Sequence, residues 1–298
     1  MFHKFNSKFF LIAILFSIFS YINSEEGVLD YSEKDWPQLC KTGMRQTPID
    51  IPNNFTFDTS DYFSLLSTNY TMINSNGVAV VHDHKYYVQN ITNSGPLMVK
   101  KAGITYQYDL IDIHFHIVSE HTMKGVAGDV EMHFVHTKNQ DYLKSAGITN
   151  DPDAANGYLV VGTIYRATAP QNNESFGKFD FANLKPITNL NPNLYVNTKK
   201  SFYHYIGGLT TPGCTEAVNW VLMEDVELIS ASQLNSVKSL INKLYPNGNA
   251  RAVKPLNGRV IYYKKAETSK PSVTPNDSSF VSIKNLVFFL SLISFILI

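Results

Sequence analysis

The segment Asp112 to His136, DIHFHIVSEHTMKGVAGDVEMHFVH, holds five of the chain's nine histidines, together with Asp112, Glu120 and Glu131. Apolar residues alternate with these polar ones. Alternate side chains of a β-strand share a face, so His114 and His116 project the same way and form a two-toothed clamp. A second alternating run, VEMHFVH, places Glu131, His133 and Val135 on one face. If the two runs pair as antiparallel neighbours, His133 completes a set of three imidazoles. Three histidines with a fourth position open make the ligand set of a catalytic zinc site, whereas structural zinc sites close with four ligands, mostly cysteine. A ligating imidazole donates its other N–H to an acceptor that fixes its orientation. Asp112 and Glu131 each stand two residues before a histidine on the same face and are placed for that role. Zinc held by three neutral ligands keeps its charge and acidifies bound water enough to supply hydroxide at neutral pH. The remaining histidines read differently. His136 has the opposite parity to His133 and points away; His121 reads as a hydrogen-bonded structural residue; His82 and His84 lie beside Asp83 and Lys85 with no third histidine and read as solvated.

These residues need strands to hold them, and the chain supplies many. Tyr106 to Val118 and Val130 to Thr137 are the two histidine-bearing strands, and the mostly apolar YLVVGTIY from Tyr158 suits a strand buried on both faces. Short alternating runs between Tyr62 and Val99, punctuated by Asn76-Gly77 and Ser94-Gly95-Pro96, read as hairpins. RQTPIDI from Arg45 carries Pro48 and reads as an edge strand. AVNWVLM, ending at Met223, is a further strand. Helical spacing is confined to Ser230 to Leu244, with a Ser cap before it and Pro246 after it. The expected fold is mainly β, one domain with a large twisted, mostly antiparallel central sheet and few short helices. With 298 residues, 44% hydrophobic, and zero formal net charge, the composition suits one sizeable domain or two small ones and gives no basic surplus for nucleic acid.

The two ends read as processing signals. Met1 to Ser24 carries Lys4 and Lys8 ahead of an apolar run and ends in small residues, the pattern of a secretory signal peptide; a membrane anchor is the alternative, although the run is short against a span of about 20 residues. Leu286 to Ile298 is a second apolar run, preceded by a polar spacer and by Asn276, Asp277, Ser278 and Ser279. That order fits a glycosylphosphatidylinositol attachment signal, with a tail-anchored helix as the alternative. The expected organisation is a signal at 1–24, a domain at 25–265, a linker with the candidate anchor site at 266–279, and a removable spacer and tail at 280–298. Five Asn-x-Ser/Thr sequons, at Asn54, Asn69, Asn90, Asn173 and Asn276, agree with export to the outer face of the plasma membrane, anchored or secreted. Cys40 and Cys214, an even count in an oxidising compartment, are expected to pair, two buried thiols being the alternative.

The segments Ile113 to His116, SEHT from Ser119, Glu131 to His136, RQTPIDI from Arg45, GLTTPGCTEAVNW from Gly208 and PLNGR from Pro255 together resemble α-class carbonic anhydrases, with the short His116 to Glu120 connection of the bacterial and plant branches. The resemblance implies reversible hydration of CO2 to bicarbonate by a zinc-bound hydroxide. It implies His114, His116 and His133 as ligands of one zinc ion, Thr210 and Glu120 as the pair that orients the hydroxide, and Thr211 on the substrate side. Val135, Val160, Leu209 and Trp220 match the apolar wall for CO2, and the two cysteines match the family's disulfide. Two departures stand out. Val78 follows Asn76-Gly77 where the family's proton-shuttle histidine usually follows Asn-Gly, and Asp112 stands where glutamine is common. The competing reading is a cell-surface recognition module on the same scaffold.

Overall fold

Alternation of apolar and polar residues decides which segments become strands, and the structure follows it closely. The computed structural model describes residues 29–266, except 54–56, 74–78, 83–84, 89–90, 92–93 and 186. The signal and anchor segments, Asn54, Asn90, Asn276 to Ser279, Val78 and His84 therefore lie outside the described residues. Among the described residues the strands are β1 Asp50–Ile51, β2 Phe63–Thr68, β3 Ala79–His82, β4 Lys85–Val88, β5 Pro96–Lys101, β6 Ile104–His116, β7 Thr122–Met123, β8 Val126–Ala127, β9 Val130–Lys138, β10 Tyr158–Ala169, β11 Phe202–Gly207, β12 Val218–Met223, β13 Glu227–Ser230 and β14 Tyr262–Lys264. The α-helices among the described residues are α1 Gln38–Thr42, α2 Gln140–Ser145 and α3 Ala231–Leu244.

An 11-stranded sheet runs β14-β11-β12-β10-β9-β6-β4-β3, with β13 added to β10, β5 to β6, and β2 to β5. Its pairs are antiparallel except β10 with β12 and with β13. β10 is central, and its mostly apolar first part is continuously buried from Leu159 to Tyr165. β1, β7 and β8 form a separate small sheet, so RQTPIDI does end in a short peripheral strand. Helix α3 begins at Ser230, whose hydroxyl accepts from Gln233 N while Gln233 Oε1 accepts from Ser230 N, a reciprocal cap. Val237 and Ile241, one helical turn apart, are buried in the larger apolar core.

β6 meets both faces of the sheet because of one residue. Leu110 pairs with His136 and Asp112 with Val135, so Ile111 is an extra residue in the strand and is exposed. A one-residue bulge moves every later side chain to the other face. Before it, Tyr106, Tyr108 and Leu110 enter the larger core; after it, Ile113, Phe115 and Ile117 enter that core and the even-numbered histidines turn to the opposite face. A smaller apolar cluster on that opposite face includes Val160, Ile164, Trp220 and Leu222, with Val135 and Leu209 partly buried against it. The N-terminal arm is pinned by the Cys40–Cys214 disulfide. It is also pinned by buried Arg251, which donates to Thr47 O at 2.8 Å and to Cys40 O and Glu33 Oε2 at 2.9 Å.

Candidate metal centre

β6 and β9 pair antiparallel with His114 directly opposite His133. His116 follows two residues on, and the three rings form a near-equilateral triangle, with centroid separations of 5.1, 5.0 and 4.7 Å. His116 and His133 are buried, and His114 is 9% exposed, so one ring borders solvent.

The outer nitrogens decide what the inner ones can do. His116 Nδ1 lies 2.7 Å from Asn249 O, which can only accept, so Nδ1 carries the proton and Nε2 a lone pair. His114 Nδ1 donates to Asp112 Oδ1 at 2.5 Å, and His133 Nε2 donates to Glu131 Oε1 at 2.8 Å. In neutral rings, His114 Nε2 and His133 Nδ1 are then both lone pairs, and they face each other at 3.2 Å. Two lone pairs at that distance repel unless a cation lies between them. Two nitrogens bound tetrahedrally to zinc at about 2.0–2.1 Å would be roughly 3.3 Å apart, so the spacing fits this ion. One ligand atom from each histidine lies within 4.8 Å of the others.

Electrostatics favour the neutral ligand form. Burial holds the His133 pKa down at about 4, against the pull of Glu131. Burial alone would raise the Glu131 carboxyl, but His121 and His133 hold it well below the usual carboxylate range. Glu131 also accepts from His121 N at 2.8 Å and from His121 Nδ1 at 2.7 Å, while the Tyr205 hydroxyl donates to His121 Nε2 at 2.6 Å. His121, Glu131 and His133 also have ligand atoms close together. The atoms that would bind an ion there are committed to this hydrogen-bonded chain, so it braces the first triad.

The other site residues fall where the strands put them. Val135, Val160, Leu209 and Trp220 share the apolar cluster on the histidine face, and the Trp220 ring centroid is 5.0 Å from that of His133. Glu120 and Thr210 are buried, and Thr211 is partly exposed. Glu120 Oε1 accepts from Arg251 N at 3.0 Å and lies 3.4 Å from His116 Nδ1. His136 does point away, into the opposite core, where its Nε2 is 2.6 Å from the Tyr70 hydroxyl. Asn249, Tyr205 and Arg251 were not legible as site residues. Asn249 holds His116 through a backbone carbonyl, and no side-chain pattern reports that.

A family profile described as eukaryotic-type carbonic anhydrase matches residues 31–265. The chain belongs to that family. It is 28% identical over 246 residues to Alpha carbonic anhydrase 3 of Arabidopsis thaliana, covering 81% of this chain and 80% of that protein. It is also 29% identical over 279 residues to Dioscorin dioA3 of Dioscorea japonica, covering 88% and 96%. The solved Photobacterium profundum alpha-carbonic anhydrase superposes with a TM-score of 0.55 at 25% identity, covering 78% of this chain and 94% of that one. Alpha-carbonic anhydrases are zinc enzymes, and the donor set described above suits that metal.

Proposed function

We propose that this protein interconverts CO2 and water with bicarbonate and a proton, using zinc held by His114, His116 and His133. The observation that carries the reading is the convergence of three imidazole lone pairs, two of them 3.2 Å apart, with every outer N–H held by an acceptor. Zinc, when bound, supplies the Lewis acidity that makes water a nucleophile at neutral pH. The rest belongs to the chain. Asp112, Asn249 and Glu131 keep each ligand in the neutral tautomer that faces inward. A Thr210 hydroxyl that donates to the Glu120 carboxylate can only accept from the attacking nucleophile, which aims a nucleophile lone pair at carbon. Glu120 is itself fixed by Arg251 N. Val135, Val160, Leu209 and Trp220 give an uncharged gas a dry wall, and Thr211 lies on the substrate side. Metal-analysed protein with one zinc per chain and no CO2 hydration at saturating buffer would overturn the proposal.

The proton must then leave. With valine at position 78, this reading makes proton release the slow step, so small imidazole buffers accelerate turnover and Val78→His reduces that dependence. A flat buffer response would contradict it. We place the domain, 25–265, at the outer cell surface after removal of the signal, carried by a lipid anchor at one of Asn276 to Ser279. The sequons support that location, and Asn69 is exposed. Phospholipase release of the protein from intact cells tests the anchor. The competing reading, a recognition module on the same scaffold, would be supported by a surface partner retained by His133→Ala.

A further inference from the structure

The three outer acceptors differ in charge. Asn249 offers a neutral carbonyl, whereas Glu131 and Asp112 offer carboxylates. Glu131 is fully enclosed and divides its charge among His133 Nε2–H and two N–H groups of His121. Asp112 is different. Its carboxylate is 17% exposed and meets His114 Nδ1 at 2.5 Å. It reaches that position because it directly follows the Ile111 bulge, which re-aims the strand toward the histidine face.

We propose that Asp112 is an anionic positioning residue that strengthens the hold of His114 on the metal and weakens the binding of small anions at the open coordination position. The inference rests on the zinc reading given above. A carboxylate drawing on the Nδ1–H raises electron density at Nε2 and locks the ring in its ligating tautomer, two effects that both favour the bound metal. Its negative charge, close to the ion through a single imidazole, also lowers the positive potential that an anion meets there. A neutral amide at this position would orient the ring without either electrostatic effect.

Asp112→Asn preserves shape and an acceptor oxygen but removes the charge, and Asp112→Ala removes both. Zinc affinity is measured by competition with a chromophoric chelator, and thiocyanate affinity from the visible spectrum of the cobalt-substituted protein. The Asn variant is expected to lose about tenfold in zinc affinity, and the Ala variant more, within the range of about 10–100-fold for partners of metal-bound histidines. Thiocyanate binding is expected to tighten severalfold in both. Opposite signs separate this from structural damage, which would weaken both. Unchanged zinc affinity in Asp112→Asn, or thiocyanate binding no tighter than in the wild type, overturns the inference while leaving the zinc reading intact. Wild-type protein that takes up no zinc overturns both.

Discussion

Gly162 should be intolerant of even one methyl group. It sits on β10 directly opposite His133, in the row that brings Leu222 alongside from β12. A Cβ built there would lie 2.9 Å from Glu131 Oε1, 3.1 Å from Leu222 Cδ1 and 3.6 Å from His133 Cδ2. Close carbon–oxygen contacts are about 3.3–3.6 Å, so the carboxylate must retreat by roughly half an ångström. It cannot do so cheaply. The same oxygen holds His133 Nε2 at 2.8 Å and His121 Nδ1 at 2.7 Å, and any retreat stretches one bond or drags a ring with it. Overpacking of this kind costs about 1–3 kcal/mol. At 2 kcal/mol, a chain of this size would melt roughly 4–8 °C lower. Displacement of His133 should also cost about tenfold or more in zinc affinity. The assay is thermal denaturation of metal-free Gly162→Ala by circular dichroism, followed by chelator competition for zinc. Gly157→Ala is the control, because an added Cβ there meets nothing within 4 Å. If the two variants melt together and hold zinc equally, the claim that packing against Glu131 sets the position of His133 is wrong.

Three further outcomes follow from the same geometry. The Cys40–Cys214 bond spans 174 residues, so replacing both cysteines by serine removes a crosslink worth about 5 kcal/mol in the chain-entropy account, read as a lower urea midpoint that a reductant reproduces in the wild type. Burial lowers the His136 pKa to about 4 and the His204 pKa to about 3. The unfolded chain, with histidines near about 6.5, therefore binds protons that the folded state refuses, so their contribution is complete above that pH and erodes as pH falls toward 4. The urea midpoint of metal-free protein should drop over that interval, and a midpoint that rises would contradict the assignment. Arg251→Lys loses the fork that reaches Thr47 O, Cys40 O and Glu33 together, and is expected to cost about 2 kcal/mol or more, with faster proteolysis of the N-terminal arm.

Much of the site was legible because strand parity is a local property. Two residues apart means one face, so His114 with His116, Glu131 with His133, and the turn of His136 away from that face needed no knowledge of the fold. Extending the same rule backwards would have failed. Uninterrupted alternation from Tyr106 would put His114 in the core with Tyr108 and Leu110, and only the pairing with β9 exposes Ile111 as the surplus residue. Nothing about an isoleucine in an apolar run signals a bulge, since neither glycine nor proline marks it. Acceptors supplied by distant backbone were equally hidden. Asn249 lies 133 residues from His116 and contributes a carbonyl that every residue type possesses.

The chemistry of this face therefore depends on more than its histidines. An imidazole with no outer acceptor can carry its proton on either nitrogen, and a set of three would seldom present three lone pairs at once. Here the acceptors come from three separate places: Asp112 just after a bulge, Glu131 on the neighbouring strand, and Asn249 in the segment after α3. Each fixes one tautomer, and only together do they turn every proton outward. Two of these acceptors also tie into the wider fold, Glu131 through His121 and Tyr205, and Asn249 through its side-chain bonds to Ile117 N and Phe115 O. A related chain could thus retain the sheet and all three histidines yet bind metal poorly after losing one acceptor. For this family, the outer nitrogens are the sharper test of whether a carbonic anhydrase scaffold is built to hold zinc.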